Sequence, residues 1–290
     1  MKKFLTVVGI MVMLSSSVNA ACTTFQCPTD YKISGGASTF FGTVSGSNFV
    51  ARKTAESIIK KSIQKEAQGD FDVRMEIFGT GDLLDGKFKS LSITGTDIVA
   101  DDIYLSYLNL KTICDYNHII VNTKKNTATF KENFGMTFGA IMTEEDINNS
   151  MKSALYKGTI DSINSIGKNS KLFSIKSAKV KIINNKFMYV VKIGFPLLGT
   201  SKDIVISSNI NVHKGRIIFT QTEVMNDMLK LDLSKITYLL NNLNPLNFSL
   251  RILENKDADM QVQEAVIKDN KIYVNGIITI DKDVVTECKE

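Results

Sequence analysis

From Leu84 to Ile113 the chain reads LDGKFKSLSITGTDIVADDIYLSYLNLKTI, with apolar residues recurring at every second position. A period of two cannot be folded as a helix; it commits the segment to β-strands with one buried face. The phase of the alternation also shifts. Ile103 and Leu105 share one parity, and Leu108 and Leu110 take the other. A one-residue slip would turn the apolar set outward unless a β-bulge absorbs it, and bulges bend sheets. A curved sheet is therefore predicted, with Gly95 as a second bending point.

Further strand patterns follow in DVRMEIFG, HIIVNT, TATFKE, KSAKVKIIN, KFMYVVKIGF, DIVISSNINV, RIIFTQTEV, FSLRILEN, DMQVQEAVIK and KIYVNGIITI. Asn184-Asn185, Lys214-Gly215 and Asp269-Asn270 separate pairs of these runs, which is the chemistry of tight antiparallel hairpins. VKIINNKFMYVVKI and EAVIKDNKIYVNGIITI resemble each other and hint at a repeated hairpin unit. Helical spacing occurs three times. Ala51, Ala55, Ile58, Ile59 and Ile63 form a stripe that ends near Gly69. Thr143 caps a second helix with Glu144-Glu145-Asp146 in its first turn; Ile147, Met151, Ala154 and Leu155 form its stripe, continuing through Ile160 and Ile163 to Gly167. A short third helix is predicted from about Asp232 or Ser234, carrying Ile236, Leu239, Leu240 and Leu243 and stopping before Pro245. Long antiparallel strands with two substantial helices give an α+β fold, the helices packed on one face of the sheet.

Residues 1–20 have the layout of a bacterial secretory signal: Lys2-Lys3, the apolar run Phe4–Leu14, then small residues with Val18 and Ala20 before the cleavage point. The run is too short to span a bilayer as a helix. Lipidation at Cys22 is the weaker reading, because Asn19 stands where a lipobox needs Leu. Residues 21–47, rich in Thr, Ser and Gly, read as a flexible lead-in, and 48–290 as one domain. The exported part carries Cys22, Cys27, Cys114 and Cys288, an even number that favours disulfides in an oxidising compartment. Sequence leaves the pairing open; Cys22 with Cys27, and Cys114 with Cys288, is one sterically possible set. The formal net charge of +5 is spread among interspersed acids and bases, which argues against nucleic acid.

Chemistry is sparse. There are two histidines and no tryptophan. His118 follows Cys114 by four residues, but no CxxC or HxxxH motif supplies the other ligands of a zinc site. His213 belongs to a hairpin turn. Asp101-Asp102 and Glu144-Glu145-Asp146 have structural explanations at a strand junction and a helix start. Gly79-Thr80-Gly81 lacks the context of a nucleotide loop, and G-x-S-x-G is absent. A non-enzymatic protein without cofactor or metal is expected. The candidates that remain are apolar: Leu83 and Leu84 in GTGDLLDGK, and Met225, Met228 and Leu229 in MNDMLKLD, beside lysines that suit contact with a membrane or greasy ligand.

The order of these parts carries a resemblance. Leu84-x-Gly86-Lys87-Phe88-x-x-Leu91-x-Ile93, Ile103-x-Leu105-x-x-Leu108-x-Leu110, Thr-Glu-Glu-Asp-Ile-Asn at 143–148, Leu243-Asn244-Pro245-Leu246 and the closing VQEAVIKDNKIYVNGI follow the helix at 48–68. Over residues 48–280 the chain resembles the LmeA-like phospholipid-binding family, a bacterial branch similar to the tubular lipid-binding (TULIP, BPI-like) superfamily. The resemblance implies a long amphipathic helix wrapped by a strongly curved antiparallel sheet, with an apolar groove for phospholipid acyl chains. Ala55, Ile58, Ile59, Ile63, Ile103 and Leu105 are then groove candidates, and Leu83, Leu84, Met225, Met228 and Leu229 rim candidates. It implies a periplasmic or extracellular carrier with transient membrane contact and no catalytic residues. The alternative is a non-enzymatic interaction module of the cell envelope with a filled core.

Overall fold

Four tight turns build most of the architecture, and each uses a pair of residues with positive φ: Asp101-Asp102, Asn184-Asn185, Lys214-Gly215 and Asp269-Asn270. Two left-handed residues in succession match the right-handed twist of strands and close two-residue hairpins. A computed structural model describes residues 25–29, 31–34, 46–122, 127–170, 174–195, 199–225, 241, 243–254, 256–283 and 285–287. The fold is mixed and sheet-rich, with curved antiparallel sheets. The strands are β1 (Gln68–Glu76), β2 (Lys87–Phe88), β3 (Ser90–Ala100), β4 (Ile103–Thr112), β5 (Asn117–Asn122), β6 (Thr127–Phe130), β7 (Phe134–Thr143), β8 (Ser174–Ile183), β9 (Lys186–Phe195), β10 (Thr200–His213), β11 (Arg216–Val224), β12 (Asp259–Lys268), β13 (Lys271–Ile280) and β14 (Val285–Glu287). They form a six-stranded sheet, β1-β3-β4-β7-β13-β12, a four-stranded sheet, β11-β10-β9-β8, and a small sheet, β14-β6-β5-β2. The second sheet is thus inserted in sequence between β7 and the hairpin that completes the first.

The helices are α1 (Ser47–Glu66), α2 (Thr80–Leu84), α3 (Glu144–Ser150), α4 (Ala154–Ser170) and α5 (Pro245–Ser249), the last running into a 3-10 turn, Leu250–Leu253. α1 has the predicted length and apolar stripe, but it lies along β1 at the margin of the six-stranded sheet and is not wrapped by it. The second predicted helix is two. Ser150 turns its hydroxyl back to the Asp146 carbonyl, and Ser153 caps a new helix by accepting from Tyr156 N. The new axis buries Tyr156 and leaves Ala154 and Leu155 exposed, and α4 runs past Gly167 to Ser170. FSLRILEN is not a strand. Asn244 caps Leu246 and Asn247 amides, and Pro245 at the first helical position starts α5 where the sequence reading placed a stop. Of the predicted third helix, Leu243 is buried, whereas 236, 239 and 240 lie outside the described residues.

The predicted phase slip is present, and it occurs in both strands of one hairpin. Burial switches parity between Leu105 and Leu108 in β4 and between Gly95 and Ile98 in β3. β3–β4 pairing keeps one register through it, Thr96 facing Tyr107 and Ile98 facing Leu105, with Asp97 and Ser106 dropping out of the ladder together. The bulge proper lies between β1 and β3, where Gln68 faces Val99 but Asp70 faces Thr96. Asp97 takes φ 51°. The backbone then comes so close that a Cβ on Gly69 would stand 2.8 Å from the Thr96 carbonyl oxygen, so only glycine fits there. At the same level β4 leaves β7. Its next outward amides are taken by α3: Ser106 N–H by Asp146 Oδ2 and Tyr104 N–H by Ser150 Oγ. Asp146 also closes the capping box with Thr143.

Candidate functional site

Among the described residues, apolar surface outside the core includes Phe49 and Val50 on α1 and two places beside the sheets, and the seam predicted to open between α1 and the sheet is not one of those two. Ala55, Ile59 and Ile63 belong to the contiguous core with Phe71, Val73 and Met75, and Ile58 is half-buried beside them. Glu56, on the same buried face, accepts from Met75 N–H and pairs with Lys53 Nζ at 2.7 Å. Ile103 and Leu105 are 2 % and 0 % exposed. Side chains fill this space.

The first open place is the seam under α4. Tyr156 anchors one end of the helix: its hydroxyl donates to the Leu243 carbonyl and shares a 2.7 Å hydrogen bond with the Tyr189 hydroxyl. Asn164 anchors the other, its amide both donating to and accepting from the backbone of Ile175 on β8. Between the anchors Ile160 and Ile163 pack against the core yet stay partly exposed. Ile193 of β9, paired with Ile175, is partly exposed too, as is Val224 on β11 at the opposite edge of the sheet. Met225, next in the chain, is 57 % exposed; Met228 and Leu229 lie outside the described residues. Burial pushes the Tyr156 hydroxyl well above its ordinary range and that of Tyr189 up to about 12. These are neutral, structural hydroxyls rather than acid–base groups.

The second place is a cleft of about 450 Å³ lined by Leu84–Lys87 on one side and His118–Val121 on the other. GTGDLLDGK, read as a loop, winds into the short helix α2. It separates the two leucines: Leu83 is buried, whereas Leu84 is 83 % exposed at the cleft mouth. Ile120 is also exposed. Desolvation and the charges of Lys87 and Lys131 lower the His118 pKa, against opposing effects from the Asp85 backbone and Glu132.

The cysteines form a disulfide whose pairing the sequence left open. Cys27 is bonded to Cys114 rather than to Cys22, with 5.5 Å between the Cα atoms; Cys22 and Cys288 lie outside the described residues. Cys114 therefore cannot serve His118 as a thiol. The bond helps fix residues 25–29 and 31–34 against the domain: Phe25 packs on Gly135, Tyr31 stacks on Tyr116 at 4.1 Å, and Ser34 donates its N–H and hydroxyl to the buried Asp82. Asp101-Asp102 forms the β3–β4 turn, Glu144–Asp146 the first turn of α3, and His213 precedes the β10–β11 turn. Among the described residues there is no cluster of metal-ligating side chains, and no helix is long and apolar enough to cross a membrane. The chain matches no family model, no curated protein and no solved structure.

Proposed function

We propose that this is an exported, non-enzymatic lipid-binding protein that holds acyl chains along the seam between α4 and the curved four-stranded sheet, a TULIP-like pairing of helix and sheet. The observation that carries this is the α4 seam itself: Ile160 and Ile163 are clamped over a sheet by anchors at both ends and still keep apolar surface in contact with solvent. Each methylene of a lipid tail buried there would contribute roughly 0.8 kcal/mol, so affinity needs no charged group. The exposed Leu84 beside Lys87 supports transient contact with a membrane surface. The Cys27–Cys114 bond supports an oxidising compartment outside the cytoplasm.

Native mass spectrometry of the protein purified from a bacterial host, and uptake of a fluorescent phospholipid, test this reading. Co-purified lipid, with uptake reduced by Ile160→Asp and Ile163→Asp, is expected. Absence of bound lipid together with absence of uptake removes the proposal.

The closed α1 seam favours a second reading, an envelope interaction module with a filled core. It predicts no lipid uptake and binding to a protein surface instead.

A further inference from the structure

The edge of β5 is left open by the way the chain departs from it. β2 pairs with β5 only at Lys87–His118 and Phe88–Asn117, and the pairing ends with Ile119 N–H donating to the Gly86 carbonyl. Gly86 has φ 82°, and a Cβ there would overlap the Ile119 carbonyl, so only glycine makes this exit. The chain turns away at once into α2, with Gly86 N–H bonded to Leu83 O. Had β2 continued, Asp85 and Leu84 would have faced Ile120 and Val121. The cleft stands in that position instead, with those residues as its walls.

The backbone polarity of the slot follows from the register. Lys131 N–H donates to His118 O, so residues 118 and 120 of β5 direct their peptide groups to β6. Ile119 directs its own to Gly86, and Val121, two residues on, points the same way. Among the described residues no other strand pairs with β5 on that side beyond Ile119.

We propose that this edge takes an extended, acidic peptide segment of a partner protein as an added strand beside Val121. An extended backbone is what matches an outward N–H and C=O two residues from an existing ladder bond. The charge on the exposed face selects acidic side chains. The cations are Lys87, which faces His118 across the β2–β5 pair, and Lys131, which adjoins His118 on the other side; the imidazole between them is held neutral by desolvation and by their charges. Asp85 is the cleft's single carboxylate, while Glu132 is paired with Lys282. A second copy presenting the same edge would bring these cations against their equals, which disfavours self-pairing. Leu84 and Ile120 supply the apolar contact that a side chain of the added strand would cover.

The proposal is independent of lipid binding at α4. Its test is fluorescence anisotropy of the full chain with two labelled peptides, one alternating Glu and Val, the other Lys and Val. The acidic peptide is expected to bind roughly tenfold more tightly, with binding weakened by added salt. Val121→Pro removes an outward N–H and trims a side chain that packs partly on the core, and should weaken binding several-fold. Should that variant misfold, Lys87→Glu decides, by reversing the preference between the peptides. Equal binding of both peptides, no binding of either, or binding of the acidic peptide unchanged by Lys87→Glu overturns the proposal. So does capture by phosphatidylglycerol vesicles that is lost in Lys87→Glu while neither peptide binds, which would assign the edge to a lipid headgroup.

Discussion

The two large sheets finish their edges in different ways. The six-stranded sheet is closed largely by main chain and covalent structure. Its β12 edge receives the β10–β11 turn, Val262 N–H donating to the Gly215 carbonyl. Beyond the end of β4, Cys114 is tied to Cys27. Side chains take outward amides of this sheet at β1, where Glu56 accepts from Met75 N–H, and on the part of β4 that β7 leaves, where Asp146 and Ser150 accept from Ser106 and Tyr104. The four-stranded sheet is closed by amide side chains. Asn148 both donates to and accepts from Val180 on β8, Asn164 does the same at Ile175, and Glu144 accepts from Ile182 N–H. On β11, Asn244 and Asn247 donate to the Ile217 carbonyl, Asn247 accepts from Ile217 N–H, and Asn241 accepts from Phe219 N–H. An asparagine side chain carries the same donor and acceptor as a peptide group, so a helix bearing it can stand in for a missing strand. An edge so occupied cannot template another chain. The contrast with the slot on β5 is one of supply: among the described residues no asparagine side chain reaches its outward peptide groups, and α2 borders it with Leu84 instead.

Breaking the covalent closure should produce the largest effect. Cys27→Ser releases a bond that spans 87 residues of sequence and is expected to cost about 4 kcal/mol. Hydrogen exchange should show the loss in β4 and β5 and spare β8–β11; a loss spread equally over both sheets would contradict the division. Next comes alkaline titration, which addresses the four-stranded side. Tyr189 is held up to about 12 by burial. A raised folded-state value means that its contribution is fully present below the unfolded value near 10 and is lost as pH rises towards 12. Urea midpoints measured at about pH 9 and about pH 11 should differ by up to roughly 2 kcal/mol, and less in Tyr189→Phe.

Removal of one edge-closing asparagine is of similar size. Asn148→Ala leaves the N–H and C=O of Val180 without partners, and Val180 is 0 % exposed. A cost of about 2 kcal/mol in equilibrium denaturation is expected, about half of it recovered by Asn148→Asp, which keeps the acceptor. The smallest effect belongs to the corresponding change at the six-stranded sheet. Glu56→Gln keeps the acceptor for Met75 N–H and gives up only the charge pairing to Lys53 and the more distant Arg52, about 1 kcal/mol or less by the same measurement.

What was legible in the sequence was what repeats. Alternation at residues 84–113 gave β3, β4 and their shared phase slip, and Asn/Asp pairs marked the hairpin turns. β7 went unread although it lies at the centre of the six-stranded sheet. Gly135 and Gly139 interrupt its alternation, and the reason for Gly135, the ring of Phe25 packed against it, depends on a segment more than a hundred residues away. The disulfide had the same obstacle, since counting cysteines says nothing about which are brought together. Asn241, Asn244, Asn247, Asn148 and Asn164 carry no local sign of closing sheet edges, because that function is set by strands they do not adjoin in sequence. Near α5 the signal was present but misread: Asn244-Pro245 is a start, and proline was taken only as a stop. At the candidate site, Leu84 and Met225 stand exposed, whereas Leu83, Ala55, Ile59 and Ile63 are interior. Apolar identity alone does not separate these two cases.

The insertion of β8–β11 between β7 and the β12–β13 hairpin has a kinetic consequence. β13 pairs with β7 along its whole length, Ile280 facing Phe134 and Lys271 facing Thr143. A chain synthesised from its N-terminus can close the β3–β4, β8–β9 and β10–β11 hairpins as they appear and can lay β7 on β4, but the other side of β7 must wait until residues 271–280 are made. Loop-closure entropy makes such distant pairings slow. Until they form, the face of β7 that carries Met136, Phe138, Ala140 and Met142 is an uncompleted apolar edge, and this is the stretch of the molecule with most to gain from a chaperone.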